Sequence, residues 1–335
     1  MKHIIFTPIY QERVWGGTGF ATHLNRELPE DKVIGESWEM VDRPEAQSTT
    51  AEGKTIRELI SEDPEGIMGK GWPAEKPFPI LVKWLDCQAK LSLQVHPPAA
   101  VAPELDGEPK TENWYIAHAE PHATLMAGLK KGVTREDFEA GLKDNNLEPL
   151  VHTMSVTAGE SIFIPSGRIH AIGGGNLILE IQQNSDTTYR VYDWGRVGLD
   201  GTPRQLHIDE SLKSSDFNDF EPETLKPEDG NQILAESNVF NLNKLTIEAG
   251  EFLCFEPGEP RILSIVTGSL QESEGAIIDA GTNALLPARE PFDFLAVERC
   301  EILLTQDFAK VDAPELQAVE QTQPRPAHQE ANICP

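Results

Sequence analysis

Short runs of apolar residues, separated by turn-forming residues, set the hydrophobic pattern of this chain. Between the runs stand 26 glycines and 25 prolines in a total of 335 residues. Short apolar runs with frequent breaks predict strands joined by tight turns rather than long helices. We therefore expect a mostly β protein, with strands at residues 80–85, 91–95, 161–164, 177–182, 242–248, 261–266 and 301–305.

Helical patterns are fewer, and two segments carry them: residues 55–62 and 134–143. Thr134 stands where an N-cap residue belongs, and Asp137 occupies the third position of a capping box. The second segment predicts a small helical insertion near 134–148.

An internal repeat indicates the architecture. Residues 158–165 (AGESIFIP) and 280–287 (AGTNALLP) share a Gly turn, a short apolar run and a closing proline. Two copies of such a unit predict two related β-barrels of the jelly-roll kind. Five residues after the first copy's proline comes His170, whereas Phe292 holds the equivalent place in the second copy. The second barrel is expected to lack metal ligands.

These features divide the chain into predicted domains. Residues 1–216 form an N-terminal catalytic domain, and 233–311 form a C-terminal domain of similar fold. Residues 217–232 are acidic, contain two prolines and show no period, so they predict a linker. Residues 312–335 predict a loosely ordered tail.

The charge of the chain excludes one class of partner. With 28 basic and 55 acidic residues, its formal net charge is −27, which is unsuited to binding nucleic acid. No apolar run is long enough for a signal peptide or a membrane span. The four cysteines include no CxxC pair and suggest reduced thiols in the cytoplasm.

Four residues have the chemistry of a metal site. Gln94 and His96 stand two apart in a predicted strand, so both side chains face the same way. Glu112 offers a carboxylate and His170 a second imidazole. Two nitrogens and two oxygens suit zinc, and iron, manganese or cobalt would also fit.

Three basic residues could serve an anionic ligand. Lys110 precedes Glu112 by two positions and would face the same cavity on a strand; a surface lysine paired with a nearby glutamate is the alternative. Arg190 and Arg196 lie in an aromatic-rich stretch and could bind phosphate. Asp193 or Asp186 could instead neutralise them in surface ion pairs.

Two further patterns carry little weight. His118 and His122 stand four apart, but Pro121 between them argues against the regular helix that would align them. The three glycines at 173–175 lack the spacing of a phosphate-binding loop and predict a turn.

Six ordered motifs resemble the type I mannose-6-phosphate isomerases (phosphomannose isomerases) in their shorter bacterial form. The resemblance runs from about residue 4 to 310, and its motifs are 12–17 (ERVWGG), 35–39 (GESWE), 91–97 (LSLQVHP), 110–115 (KTENWY), 165–171 (PSGRIHA) and 185–193 (SDTTYRVYD). The resemblance implies tandem cupin barrels, the jelly-roll fold already expected, with a small helical insertion. It also implies interconversion of mannose 6-phosphate and fructose 6-phosphate with one zinc ion per chain.

Residue by residue, the resemblance assigns roles. It implies zinc ligands at Gln94, His96, Glu112 and His170, a set that the residues themselves also suggest. It further implies that Lys110 and Arg190 are catalytic and bind substrate, and that Ser92 lies near the substrate phosphate. The chain departs from many relatives in having a second proline directly after Pro97, where they carry aspartate.

The implied chemistry is an aldose–ketose isomerisation through an enediol. Lys110 is the first candidate to move the proton between C1 and C2, and a metal-bound water is the second. Two rival functions use the same fold: a metal-dependent oxygenase and a non-catalytic sugar-binding or regulatory protein.

Overall fold

A computed structural model describes residues 2–273 and 275–310 and the backbone of 332–334. The rest of the predicted tail, 312–331 and Pro335, lies outside the described residues. The α-helices are α1 (Gly19–Leu24), α2 (Ile56–Glu62), α3 (Pro64–Met68), α4 (Arg135–Lys143) and α5 (Ile208–Ser214), with short 3₁₀ helices at Ala102–Leu105 and Glu148–Leu150. The strands are β1 (Ile4–Ile5), β2 (Ile9–Gly17), β3 (Ile34–Met40), β4 (Asp42–Arg43), β5 (Ala46–Gln47), β6 (Ile80–Cys87), β7 (Leu93–Val95), β8 (Glu112–Ala119), β9 (Thr124–Leu129), β10 (Val151–Ser155), β11 (Ser161–Ile164), β12 (His170–Ile172), β13 (Asn176–Gln183), β14 (Tyr189–Tyr192), β15 (Gln232–Glu236), β16 (Asn241–Ile247), β17 (Phe252–Phe255), β18 (Arg261–Thr267), β19 (Ser269–Glu272), β20 (Ile277–Asp279), β21 (Asn283–Leu286), β22 (Phe292–Ala296), β23 (Cys300–Gln306) and β24 (Asn332–Cys334).

Contacts divide the chain into two compact units. The central unit comprises residues 10–38 and 83–227, and the terminal unit comprises 1–9, 39–82 and 228–335. The predicted domain boundaries stay a prediction. The contacts, however, group residues 39–82 with residues 228–335, although the prediction assigned 39–82 to the N-terminal domain. Within the predicted linker, Phe220 bridges to Leu129 and Leu225 bridges to Ser161.

The central unit is built from two antiparallel sheets. One has the strand order β11-β8-β13-β6-β3-β2 and the other β10-β9-β12-β7-β14. Apolar residues of both sheets share one core cluster, which includes Trp114 and Ile162 from the first and Leu125 and Ile172 from the second. The outer face of the second sheet packs against Phe138 of α4. The predicted helical insertion thus covers the sheet that carries β7 and β12.

The terminal unit repeats this plan. Its sheets have the orders β1-β21-β18-β23-β16-β15 and β20-β19-β22-β17-β24, and both line one apolar core. The predicted mostly β architecture with two jelly-roll barrels is therefore confirmed. Both copies of the sequence repeat start a strand from a left-handed glycine, with φ of 87° at Gly159 and 86° at Gly281. His170 opens β12 as Phe292 opens β22, which matches their equivalent sequence positions.

Local signals predicted the elements well. Each predicted strand overlaps an observed one, and 161–164 coincides with β11. Thr134 and Asp137 form a reciprocal capping box at α4, and Thr55 forms another with Glu58 at α2. Among the helices described, none has the length and apolar character that crossing a membrane requires.

Candidate functional site

Three side chains converge inside the central unit, although they come from separate parts of the chain. His96 directly follows β7, Glu112 begins β8 and His170 begins β12. Glu112 Oε2 lies 3.5 Å from His96 Nε2, and Glu112 Oε1 lies 3.6 Å from His170 Nε2. All candidate ligand atoms lie within 4.8 Å of one another, and each residue is at most 1% exposed. These three residues could hold a metal ion.

Strand pairing brings Gln94 beside them. The Cα atom of Gln94 pairs with that of His170 on β12 and with that of Arg190 on β14. Directly opposite residues of an antiparallel pair project from the same face, about 5 Å apart at Cβ. Gln94 therefore lies between His170 and Arg190 on one face of this sheet.

Backbone carbonyls fix both imidazoles. His96 Nδ1 lies 2.8 Å from the carbonyl oxygen of Thr187, and His170 Nδ1 lies 2.8 Å from that of Arg168. A carbonyl oxygen only accepts, so each Nδ1 carries the hydrogen and donates it. Each Nε2 keeps its lone pair for the side of the ring near Glu112. Metal-binding histidines are held in this way.

The protonation states also suit a cation. Burial, reinforced by Lys110, lowers the pKa of His96, and burial together with His96 lowers the pKa of His170 to about 3. Burial by itself would raise the pKa of Glu112, but Lys110 and His96 outweigh it and hold that pKa well below its usual range. Neutral imidazoles and an ionised carboxylate are the forms that bind metal.

Three acceptor atoms at this centre lack a hydrogen-bond partner. Both carboxylate oxygens of Glu112 and Nε2 of His170 are buried without a hydrogen-bond partner among the described residues. Lys110 Nζ lies 3.0 Å from Glu112 Oε2 and contributes its charge, but not an aligned hydrogen bond. Leaving a buried acceptor unpaired costs about 1–3 kcal/mol, so such a cluster needs an explanation. A cation bound between the three atoms would satisfy all of them.

Lys110 lies at this centre, although it precedes β8 instead of lying on a strand as predicted. Its Nζ is 3.3 Å from His96 Nε2 and 4.0 Å from Glu180 Oε1, and the residue is 4% exposed. Burial lowers the pKa of Lys110, but Glu112 and Glu180 outweigh burial and raise it. Lys110 is therefore an ammonium ion, and the surface alternative is wrong.

Glu180 extends the charged cluster, although the sequence analysis assigned no role to it. Its Oε2 accepts a hydrogen bond of 2.8 Å from Trp114 Nε1, and its Oε1 lies 3.7 Å from Lys83 Nζ. Burial, together with Glu112, raises its pKa. A carboxylate inside the otherwise apolar run 177–181 was the signal that could have found it.

The two arginines separate into different roles. Arg196 and Arg204 both bind the carboxylate of Asp193, so the ion-pair alternative is correct for Arg196. Arg190 instead donates from NH1 to the carbonyl oxygen of Gln205 at 2.8 Å. Its Nε is buried without a partner, and no described carboxylate forms an ion pair with it. Arg190 thus retains bonding capacity on the face that carries Gln94.

The remaining candidates are a serine, two histidines and a run of glycines. Ser92 is 5% exposed and stands two residues before Gln94. His118 Nε2 lies 3.3 Å from Oε1 of the exposed Glu120. Neither His118 nor His122 belongs to the metal-capable group found among the described residues. The glycines at 173–175 form the predicted turn, between β12 and β13.

Comparison with known proteins identifies relatives that match most of the chain. A family model described as the catalytic domain of type I phosphomannose isomerase matches residues 4–106. The chain is 32% identical over 328 residues to GmuF of Bacillus subtilis, which is named a probable mannose-6-phosphate isomerase. This match covers 91% of this chain and 99% of GmuF. It is 36% identical over 216 residues to the mannose-6-phosphate isomerase ManA of the same organism, covering 63% and 67%.

The fold has a solved counterpart. The crystal structure of the mannose 6-phosphate isomerase from Bacillus subtilis superimposes with a TM-score of 0.82 at 28% identity. The match covers 91% of this chain and all of that one. Both barrels are therefore shared with that structure.

Proposed function

Because this chain belongs to the type I phosphomannose isomerase family, we propose that it interconverts mannose 6-phosphate and fructose 6-phosphate through an enediol. As a member of that family the chain is an isomerase. The observation that carries the proposal is the buried group of His96, Glu112 and His170, which lies in the central unit.

The cofactor of the proposed enzyme is one zinc ion per chain. Its ligands are Gln94, His96, Glu112 and His170, which offer two imidazole nitrogens and two oxygens, a donor set suited to zinc. The unpaired buried acceptors on Glu112 and His170 support this choice. Zinc in this position supplies Lewis-acid polarisation of the sugar carbonyl.

Lys110 and Arg190 are the proposed catalytic residues. Moving a proton between C1 and C2 places negative charge on O1 and O2 of the sugar. Lys110 is a buried ammonium ion 3.0 Å from Glu112 Oε2, and Arg190 has an unpaired buried Nε. Fixed cations in a site that excludes water stabilise such charge more strongly than they would in bulk water.

Ser92, Lys110 and Arg190 are the proposed substrate-binding residues. In a chain with a net charge of −27, an anionic sugar requires local positive charge, which Lys110 and Arg190 provide. Binding the phosphate away from the reacting carbons orients the sugar and directs binding energy to the reaction.

The proposed compartment is the cytoplasm, since the cysteine pattern suits a reducing environment.

The test is a coupled assay for fructose 6-phosphate on mannose 6-phosphate, with metal quantified in the same sample. We expect turnover that scales with zinc content, and a much lower kcat/KM for mannose without its phosphate. Oxygen uptake measured in parallel should be zero, whereas a cupin oxygenase would consume oxygen. Failure of the zinc-loaded protein to form fructose 6-phosphate would contradict the proposal.

A further inference from the structure

The carbonyl group that orients His96 lies on a segment with no regular secondary structure. Thr187 stands between β13 and β14, so no sheet ladder holds its carbonyl oxygen in place. That oxygen nevertheless accepts the hydrogen of His96 Nδ1 at 2.8 Å. The orientation of this ring therefore depends on whatever fixes the segment 183–187.

A buried amide fixes that segment. Gln182, the next-to-last residue of β13, is fully buried, and its Nε2 donates to the carbonyl oxygens of Gln183 and Ser185, each at 2.7 Å. Because carbonyl oxygens cannot donate, Nε2 must face them, and the amide orientation is unambiguous. Both hydrogens of the amide are thus used to hold one turn.

Ser185 passes the constraint on to Thr187. Its hydroxyl accepts a hydrogen bond from the backbone N–H of Thr187 at 3.2 Å. The hydroxyl of Thr187 accepts in turn from the backbone N–H of Glu108 at 3.1 Å. Three hydrogen bonds between buried or half-buried groups, joined through the covalent bonds of Ser185 and Thr187, therefore connect Gln182 to His96.

We infer that Gln182 is a positioning residue of the metal centre, which holds His96 in the ring orientation and tautomer that a metal requires. The inference rests on the metal site of the proposed function. Gln182 also pairs in register with Glu112, because β13 lies beside β8. Gln182 therefore stands opposite the ligand Glu112 and at the same time holds the turn that orients the ligand His96. Partners behind a ligand typically contribute 10–100-fold to metal affinity.

The same strand offers a matched control. Asn176, the first residue of β13, is 1% exposed, and its amide nitrogen donates to the carbonyl oxygens of Thr124 and Gly173. Each amide also leaves its own oxygen buried without a partner. Gln182→Met and Asn176→Leu therefore remove equivalent buried amides of similar shape, one behind His96 and one at the far end of the strand.

The test measures zinc affinity by competition with a chromophoric chelator and the visible spectrum of the cobalt-substituted protein. We expect both variants to lose thermal stability, whereas only Gln182→Met weakens zinc binding, by about 10–100-fold, and changes the cobalt spectrum. Wild-type zinc affinity and an unchanged spectrum in folded Gln182→Met would overturn the inference.

Ser185→Ala keeps the test decisive if Gln182→Met does not fold. It removes the acceptor of the Thr187 N–H and the hydroxyl's own hydrogen bond to the carbonyl oxygen of Glu108. It should weaken zinc binding in the same direction, by about tenfold; unchanged affinity would overturn the inference. A wild-type protein that binds no zinc would refute the proposed function itself. Normal zinc binding and turnover in the wild type, with no effect of either variant, would refute the role of Gln182 alone.

Discussion

The stability of the folded chain should fall in acid, because the buried carboxylate of Glu36 then loses its charge. Glu36 accepts hydrogen bonds from Trp38 Nε1 at 2.7 Å and from Arg13 Nε at 2.7 Å. Lys83 Nζ lies 4.0 Å away. Burial raises the pKa of Glu36, but Lys83 and Arg13 outweigh burial and bring that pKa from 4.5 down to about 2. The perturbation is Glu36→Gln, which keeps the shape and removes the charge.

The size of the effect on the unfolding free energy follows from the difference between the folded and unfolded pKa values of Glu36. A folded-state pKa depressed by about 2.5 units stabilises the folded chain by about 3.4 kcal/mol at pH 6, at 1.36 kcal/mol per unit. Because the folded pKa is the lower one, this stability is present above pH 4.5 and is lost as pH falls towards 2. About 2 kcal/mol of it remains at pH 3.5. The side chain of Glu36 is only 12% exposed, so solvent screening removes little of this.

The assay is urea unfolding, followed by tryptophan fluorescence at pH 6 and pH 3.5. The unfolding free energy of wild type should exceed that of Glu36→Gln by about 3 kcal/mol at pH 6, and the gap should shrink by about 1.4 kcal/mol at pH 3.5. Glu139→Gln, which breaks an exposed pair with Arg135 on α4, should change stability by under about 0.5 kcal/mol. A gap for Glu36→Gln that stays constant between the two pH values would refute the reasoning.

Three further variants separate metal binding, turnover and stability. Glu112→Gln should lose zinc and activity yet remain folded, because one anionic ligand disappears; metal analysis and circular dichroism check this, and full zinc content would contradict it. Arg190→Ala should lower kcat by about 100-fold or more while zinc content stays near one per chain, whereas equal zinc loss would make this arginine structural. Thr134→Ala should lower the unfolding free energy by about 1 kcal/mol through loss of the α4 cap, with unchanged kcat; an unchanged midpoint in urea would contradict it.

The metal group was readable from the sequence because its signals are local. A strand spacing of two brought Gln94 and His96 together, and the repeat marked His170 as the ligand that the second copy lacks. Even so, β7 ends at Val95, so His96 reaches the centre from the residue just beyond the strand. The residue types and the fold class together were enough to predict the convergence of His96 and His170 with Glu112.

The partners of these residues were not readable, because they depend on contacts between distant positions. Trp114 and Glu180 stand 66 residues apart, and His96 and Thr187 stand 91 apart. Pairing of β8 with β13 creates the first contact, and the turn between β13 and β14 creates the second. No periodicity within one segment encodes either. The tautomer of His96 and the charge of Lys110 follow only from this arrangement.

The grouping of residues 39–82 was hidden for the same reason. Within the terminal unit, the carbonyl oxygen of Ile67 accepts from the N–H of Ala288 at 3.0 Å, and Phe78 packs edge-on against Phe308. Both contacts span more than 200 positions. The composition of 39–82 gives no sign of them, whereas the Gly turns that start the two repeated strands were visible directly.

The central claim is that one metal ion, held by His96, Glu112 and His170 with Gln94, makes this chain an isomerase. The most direct measurement removes metal with a chelator and titrates zinc back while following conversion of mannose 6-phosphate. Activity should be absent at first, rise linearly and saturate at one zinc per chain. Full turnover in the metal-free protein, or no recovery at one equivalent of zinc, would contradict the claim.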